Sequence, residues 1–186
     1  GNHRLYLNLG TADLIWNYFK GKGWEETAIA GLLGNFQQES GIDPGFEERG
    51  NHIGYGLGQW SFERRTQLEH YAASRGCAAG DIYAQLDFLC QEAGEKDFVN
   101  HFAKTKWSSP AAAAIEWGTR WERYNLSDRS MSRVRIPYAE AYYAHYVAGV
   151  SFLVSNTRYS EPEVLVKLAS AADAGVREEL SPEDAA

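Results

Sequence analysis

Apolar residues recur along most of the chain at the three- and four-residue spacing of helices that bury one face. Residues 11–22 form the first such segment, with Thr11 as its predicted N-cap. The second segment covers residues 25–40, and Gly41 follows it at the position where glycine commonly ends a helix. Its apolar stripe consists of Ile29, Leu32, Leu33 and Phe36. The pattern therefore predicts two amphipathic helices at the start of the chain.

The helical period resumes after residue 60 and continues to about residue 148. Ser61 and Asp81 are predicted N-caps, and Ser109 followed by Pro110 is typical of a helix start. Pro137 is predicted to kink the last core helix or to lie in its first turn. The residues expected to face the core are Leu68, Tyr71, Ala72, Ile82, Leu86, Leu89, Trp117 and Trp121, and the last core helix carries Tyr138, Tyr142 and Tyr146. We therefore expect residues 1–149 to form one mainly α domain.

Two segments break this pattern. Residues 41–60 contain seven Gly or Pro residues, which predicts an ordered loop or a short β-hairpin. Residues 150–186 are rich in Ser, Glu, Ala and Pro and carry seven acidic against three basic side chains. We expect this second segment to be an acidic helical extension or linker, with a short helix at 164–172.

Charge and composition exclude several classes of protein. The net charge is −7, and no Lys/Arg stripe marks a surface that would follow nucleic-acid phosphates. No apolar run is long enough to insert into a membrane, and no basic-then-apolar leader begins the chain. If the protein acts outside the cell, its signal was removed or another machine delivers it.

The cysteines and histidines form no recognisable disulfide, metal or catalytic motif. Cys77 and Cys90 are too few for a disulfide framework, and the sequence leaves open whether they pair. The five histidines form no His-Glu-x-x-His motif, so a zinc peptidase is disfavoured, and we expect no metal or other cofactor. A peptidase built from either cysteine and His101 lacks a recognisable local signature.

Glu39 is the first candidate for chemistry. It lies about 80° from Ile29 around the predicted helix, at the edge of the apolar stripe. It also lies in the last turn, where the helix dipole disfavours a carboxylate, and apolar neighbours add a desolvation cost. Both effects raise the pKa of Glu39, and an acid that keeps its proton can protonate a leaving oxygen. The alternative is a solvated glutamate at a helix end.

The second candidate is the segment at 54–60, Gly-Tyr-Gly-Leu-Gly-Gln-Trp. Alternating glycines let a ligand or another backbone approach closely, while the amide of Gln59 and the rings of Tyr55 and Trp60 suit a sugar. The spacing does not match a phosphate-binding loop. The alternative is a glycine-rich hairpin that merely turns the chain.

Together the two segments resemble the lysozyme-like superfamily, which includes goose-type lysozymes and lytic transglycosylases. Its members carry a Glu-Ser at a helix end, here Glu39-Ser40, and a following glycine-rich loop with glutamine, here ending at Gln59. Within the superfamily the chain is most similar to the phage tail-type lysozyme domain. Further similarity at residues 15–18, 30–35, 121–123 and 133–143 extends the resemblance over residues 11–148.

The resemblance implies a two-lobed helical fold with a glycine-rich loop beside an active-site cleft. It implies cleavage of the β-1,4 bond between N-acetylmuramic acid and N-acetylglucosamine in peptidoglycan glycan strands, with Glu39 as the general acid. Substrate contacts are then expected from Ser40, Tyr55, Gly58, Gln59 and Trp60, with Ser40 orienting the glutamate or its helix end. An extracellular or cell-wall location, reached by secretion or by phage or conjugation machinery, and a longer multidomain hydrolase follow as expectations.

The rest of the mechanism stays open at this point. A glycoside hydrolase generally uses a second carboxylate beside the acid. The candidates near Glu39 in the sequence are Asp43, Glu47, Glu48 and Glu63. Asp43 has an alternative role in a turn and Glu63 in the first turn of a helix. A lytic transglycosylase needs no second carboxylate, because the 6-hydroxyl of its substrate attacks to give a 1,6-anhydro sugar. A cell-wall glycan-binding module without turnover is the alternative from another class.

Overall fold

The computed structural model describes residues 5–125 and 127–152 and is mainly helical. Its α-helices, in chain order, are α1 (Leu9–Gly21), α2 (Glu26–Ser40), α3 (Phe62–Ser74), α4 (Ile82–Gln91), α5 (Lys96–Lys104), α6 (Pro110–Trp117) and α7 (Ile136–Ala148). One π-helical turn, Gly118–Glu122, follows α6, and another, Met131–Arg135, leads into α7. The predicted mainly α class is confirmed, while the helix expected at 164–172 lies outside the described residues.

The glycine-rich segment between α2 and α3 is a loop. Within the described residues it forms two isolated antiparallel bridges, Glu47 with Tyr55 and Tyr55 with Trp60, and no strand. Of the two predictions for this segment, the ordered loop is therefore correct and the β-hairpin is wrong. Alternating glycines allow the chain to fold back sharply, but they leave too few consecutive paired residues for a ladder.

Helix α2 lies at the centre of the molecule and packs against both α6 and α7. Its predicted stripe is buried, with Ile29, Leu32, Leu33 and Phe36 all at 0% exposure. Gly34 permits the close approach of α7, because a Cβ at this position would lie 2.8 Å from the Cβ of Ala139. This packing brings the start of α7 beside the last turns of α2.

Aromatic rings fill much of the core. Trp117 and Trp121 are fully buried, as predicted, and their rings are stacked with centroids 4.8 Å apart. The ring of Trp60 meets Trp121 edge to face at 5.5 Å. The high aromatic content therefore serves the core to a large extent.

Most of the predicted helix starts are confirmed. The side chains of Asp81 and Ser109 accept hydrogen bonds from the amides of Ala84 and Ala112, as N-caps do. Pro137 lies in the first turn of α7. The prediction for Thr11 is wrong, because α1 begins at Leu9 and its N-cap is Asn8.

A tertiary contact explains this earlier start of α1. The backbone amide of Asn8 donates to the hydroxyl of Tyr142 on α7 at 3.1 Å. The side-chain amide of Asn8 also donates to the carbonyl oxygen of Gly41, just after α2, at 3.3 Å. Both bonds join residues far apart in the sequence, so the local pattern around Thr11 could not reveal them.

Both cysteines are free thiols. Cys90 packs against the core, as expected, and burial raises the pKa of its thiol to about 11. None of the helices in the described part of the chain is both long and apolar enough to cross a membrane.

Candidate active site

Glu39 lies in the last turn of α2, where the helix pattern placed it. Gly41 ends the helix in the left-handed conformation, with φ 67°, and its amide donates back to the carbonyl of Gln37. The Glu39 side chain is 19% exposed, so it is largely enclosed but still reaches the surface.

A cleft of about 470 Å³ opens at this point. Four parts of the chain form it: the end of α2, the glycine-rich loop, the residue before α3 and the π-helical turn after α6. The residues that line it are Gln38, Glu39, Phe46, Glu48, Arg49, Gln59, Ser61 and Glu122. Polar and charged side chains dominate this set, which suits a hydroxyl-rich ligand.

The Arg135 guanidinium group holds the Glu39 carboxyl group in place. Its Nη2 donates to Glu39 Oε2 at 2.7 Å, its Nη1 to Asn35 Oδ1 at 2.8 Å and its Nε to Ser130 Oγ at 2.9 Å. Arg135 is only 2% exposed, and each of its three nitrogens has its own acceptor. The guanidinium fork is therefore fixed in one orientation.

Asn35 extends this network into α6. Its side-chain amide donates to the carbonyls of Gly31 and Ala114 at 2.8 and 3.0 Å, which leaves its oxygen free to face Arg135. The position of Glu39 is thus determined by α2, α6 and the turn before α7 together. A side chain held from three elements is well preorganised.

The pKa of Glu39 is raised above its ordinary value. Burial is the largest cause, and the charges of Asp128 and Glu48 act in the same direction. The charge and hydrogen bond of Arg135 oppose this rise without cancelling it. The predicted upward direction is therefore confirmed, with desolvation as the dominant cause.

Glu122 is the cleft residue that the sequence analysis missed. It ends the π-helical turn after α6, and its Oε2 lies 3.4 Å from the donating indole nitrogen of Trp117. Burial first, and then the negative charge of Glu39, raise the pKa of Glu122 well above its ordinary value. The positive charges of Arg135 and Arg64 oppose this rise without cancelling it.

Among the residues expected to contact substrate, Gln59 lines the cleft. Its backbone adopts a positive φ of 56°, and its side-chain amide donates to the carbonyls of Phe46 and Gly56 at 3.1 and 3.0 Å. Gly58 is the point where the loop lies against the core, since a Cβ there would be 2.7 Å from the ring of Trp121. The glycine is required for this close approach of loop and core.

Ser40 and Trp60 face the interior of the protein. The hydroxyl of Ser40 lies 3.0 Å from the carbonyl oxygen of Leu57 and accepts a bond from the amide of Asp43, so it fastens the loop to the helix end. Trp60 is 1% exposed and donates its indole N–H to Glu92 at 3.2 Å. We expected these two side chains to contact substrate. In the structure both form hydrogen bonds with other residues of the protein interior.

Tyr55 is partly buried and is not one of the residues that line this cleft. Its ring lies under the guanidinium group of Arg65, whose carbon is 4.8 Å from the ring centroid. Arg65 also donates to Glu47 at 2.7 Å, so Glu47 is engaged in an ion pair on the outer side of the loop.

The candidates for a second carboxylate occupy different places. Glu48 lines the cleft, and its Oε1 accepts a bond from the amide of Gly54 at 3.0 Å. Asp43 is 2% exposed and accepts from the amide of Gly45 at 2.7 Å, which is the turn role that its sequence allowed. Glu63 is exposed in the first turn of α3. Of these three, the structure brings Glu48 together with Glu39.

Comparison with known proteins agrees with this geometry. Residues 10–146 match the family model of the phage tail lysozyme, a range that includes Glu39, Glu122 and Arg135. The chain belongs to the phage tail lysozyme family. This membership confirms the resemblance seen in the sequence and suggests peptidoglycan degradation.

One curated protein that is similar in sequence to this phage tail lysozyme domain is morphogenesis protein 1 of Bacillus phage B103. The two chains are 44% identical over 85 residues, which is 44% of this chain and 23% of the phage protein. The similarity thus covers less than a quarter of the length of that relative.

Proposed function

We propose that this domain is a glycosidase that cleaves the β-1,4 bond between N-acetylmuramic acid and N-acetylglucosamine in peptidoglycan. The observation that carries the proposal is the Glu39 carboxyl group, enclosed at the edge of a polar cleft, with a raised pKa and a fixed partner in Arg135. The family assignment supports the same substrate class. In this proposal the helices form the two-lobed, lysozyme-like arrangement expected from the sequence.

Glu39 acts as the general acid. Its proton passes to the glycosidic oxygen as the bond from that oxygen to the anomeric carbon breaks, leaving an oxocarbenium-like sugar. The resulting carboxylate is stabilised by the Arg135 guanidinium at 2.7 Å. Arg135 thus favours the product state of the proton transfer, while burial favours the protonated starting state.

Glu48 is our candidate for the second carboxylate. It lines the cleft with Glu39, and the Gly54 amide orients one of its oxygens. In a hydrolase it would activate the attacking water or stabilise the positive sugar, and the attacking water's proton finally restores the acid. Glu122 is less suited to this role, because its burial beside Glu39 favours its protonated, uncharged form.

A lytic transglycosylase is the competing reaction. There the 6-hydroxyl of the substrate attacks the anomeric carbon and loses its proton to the Glu39 carboxylate, which needs no second carboxylate. A wall-binding module without turnover is disfavoured, since mere binding gives no reason to enclose a carboxyl group beside a buried arginine at a desolvation cost.

Product analysis tests the proposal. Purified peptidoglycan is digested with the protein and the released fragments are examined by mass spectrometry. We expect fragments with ordinary reducing ends, and release should fall at least about a hundredfold in Glu48→Gln. The matched control is Glu63→Gln, which removes an exposed carboxylate on α3 and should leave release unchanged.

The other outcomes are equally distinct. Products with 1,6-anhydro ends, together with full activity of Glu48→Gln, would establish the transglycosylase reaction. Absence of any fragment, with binding to peptidoglycan retained, would establish a binding module.

We also propose that the domain acts outside the cytoplasm, at the cell wall, as one module of a longer cell-wall hydrolase. The match to less than a quarter of a phage morphogenesis protein is compatible with a modular arrangement.

A further inference from the structure

Phe62 is an exposed aromatic residue that follows the cleft-lining Ser61 in the chain. It is the first residue of α3 and is 74% exposed, more than any other exposed large hydrophobic side chain in the described part of the chain. Two residues just before it in the chain, Gln59 and Ser61, line the cleft. Because adjacent Cα atoms are about 3.8 Å apart, the backbone of Phe62 lies next to the part of Ser61 that borders the cleft, and a ligand that extends past Ser61 would come close to it.

The backbone at Phe62 is strained. Its φ is +53°, in the left-handed region that a bulky side chain rarely adopts. Glycine would occupy this conformation without the steric cost. A phenylalanine at this position therefore destabilises the folded backbone relative to a glycine.

Packing does not compensate for this cost. A side chain that is 74% exposed buries little apolar surface, so the core gains little from the ring. The neighbouring Trp60 already anchors the segment, since it is buried and donates to Glu92. A residue that holds an unfavourable backbone conformation and gains no packing in exchange is expected to serve function.

The charges around Phe62 favour an uncharged ligand. Arg64 and Arg65, the cations closest to it on α3, are both paired, with Glu92 at 2.6 Å and with Glu47 at 2.7 Å. The residue that directly follows Phe62 is Glu63, whose side chain is an exposed carboxylate. An exposed apolar ring among paired cations suits the C–H face of a sugar better than an anionic group.

We propose that Phe62 is a stacking platform for a sugar ring of the glycan strand, outside the cleft that holds the bond to be cleaved. The ligand class is a β-1,4-linked polymer of N-acetylated hexosamines. This inference rests on the proposed function, because it concerns the same substrate where it leaves the cleft. Phe62 thereby sets how tightly a long strand is held and does not take part in the chemical step.

The test separates binding from turnover. In the Glu39→Gln background, binding to insoluble peptidoglycan is measured for Phe62, Phe62→Ala and Phe62→Tyr. We expect Phe62→Ala to weaken binding about three- to tenfold and Phe62→Tyr, which keeps the flat ring, to retain it. In the active protein, Phe62→Ala should raise KM by a similar factor and leave kcat unchanged.

A matched control and a stability measurement complete the experiment. Tyr83→Ala removes another exposed ring, 52% exposed on α4, and should not change binding. Phe62→Gly should lose binding like Phe62→Ala but gain about 2–4 °C in thermal midpoint, since it relieves the positive φ.

Several results would overturn the inference. In an active protein, an unchanged KM for Phe62→Ala rejects the platform and leaves the proposed function intact. A lower thermal midpoint for Phe62→Gly, or a change in oligomeric state for Phe62→Ala, would assign the ring to folding or to self-association instead. If the protein neither binds nor cleaves peptidoglycan, the proposed function and the platform are both rejected.

Discussion

At the scale of single residues, the site is defined by Arg135 and the two acids near it, Glu39 and Glu122. Arg135 donates directly to Glu39 at 2.7 Å, while Glu122 lies close enough for its pKa to be affected by both. Burial is the first cause of the raised pKa of each acid, and Arg135, joined by Arg64 in the case of Glu122, opposes the rise without cancelling it. Burial therefore keeps the proposed acid, Glu39, protonated before the reaction. Arg135 stabilises the carboxylate that remains after the proton has been transferred.

Glu122 gives a prediction about stability and pH. Because its pKa is raised in the folded protein, the folded state binds this proton more tightly than the unfolded chain, where the pKa is about 4.3. Stability should therefore fall as pH rises from about 4.3 toward the raised value. Glu122→Gln removes this titration, so its urea midpoint should fall less than that of the wild type between about pH 4.5 and pH 7.5.

The control for this comparison is Glu63→Gln, which removes an exposed carboxylate and should follow the wild-type curve. Equal pH dependence in the wild type and in Glu122→Gln would show that Glu122 ionises as freely in the folded protein as in the unfolded chain.

Sequence reasoning found part of this site, for a physical reason. The place of Glu39 at the end of α2 follows from local periodicity, and that place already implies a raised pKa. Its contact with Arg135 spans 96 positions and depends on how α7 packs, which no local pattern reveals. Glu122 was missed because it lies in a π-helical turn, where the extra residue per turn breaks extrapolation from the α-helical stripe.

At the scale of elements, the approach of α7 to α2 positions the arginine. A Cβ at Gly34 would lie 2.8 Å from the Cβ of Ala139 and would also contact the backbone oxygen of Arg135. The two helices would have to separate, and the start of α7 would move away from the end of α2.

We therefore predict that Gly34→Ala destabilises the protein by about 1–3 kcal/mol and lowers kcat through displacement of Arg135. The matched control is Gly10→Ala in α1, where a Cβ would meet nothing within 4 Å. This control should be neutral or up to about 1 kcal/mol more stable, because alanine favours helix. Chemical denaturation and steady-state kinetics measure both, and a Gly34→Ala variant as stable and active as wild type would contradict the packing argument.

The helices themselves were largely predictable, and their exact ends were not. N-cap residues whose side chains accept a hydrogen bond from an amide three residues later, such as Asp81 and Ser109, were recognised from local sequence. The start of α1 was not, since Asn8 is held by residues of α7 and by the end of α2. The glycine-rich loop was located correctly, but composition alone did not distinguish a loop from a hairpin.

At the scale of the whole molecule, function depends on elements distant in sequence meeting at one cleft. Helix α2, the glycine-rich loop and the turn after α6 each contribute a part, and the core aromatics hold them in register. The net charge of −7 gives no general attraction to an anionic wall. Under the proposed function, recognition would therefore come from the cleft and the residues next to it, which would contact individual sugars.

The most direct measurement of the central claim is the rate of fragment release from purified cell walls by Glu39→Gln. The amide cannot donate a proton, so release should fall by about a hundredfold or more, while the thermal midpoint and the affinity for walls stay close to those of the wild type. Glu63→Gln serves as the control with unchanged release. A Glu39→Gln protein that folds normally and still releases fragments at the wild-type rate would contradict the role of Glu39 as the acid.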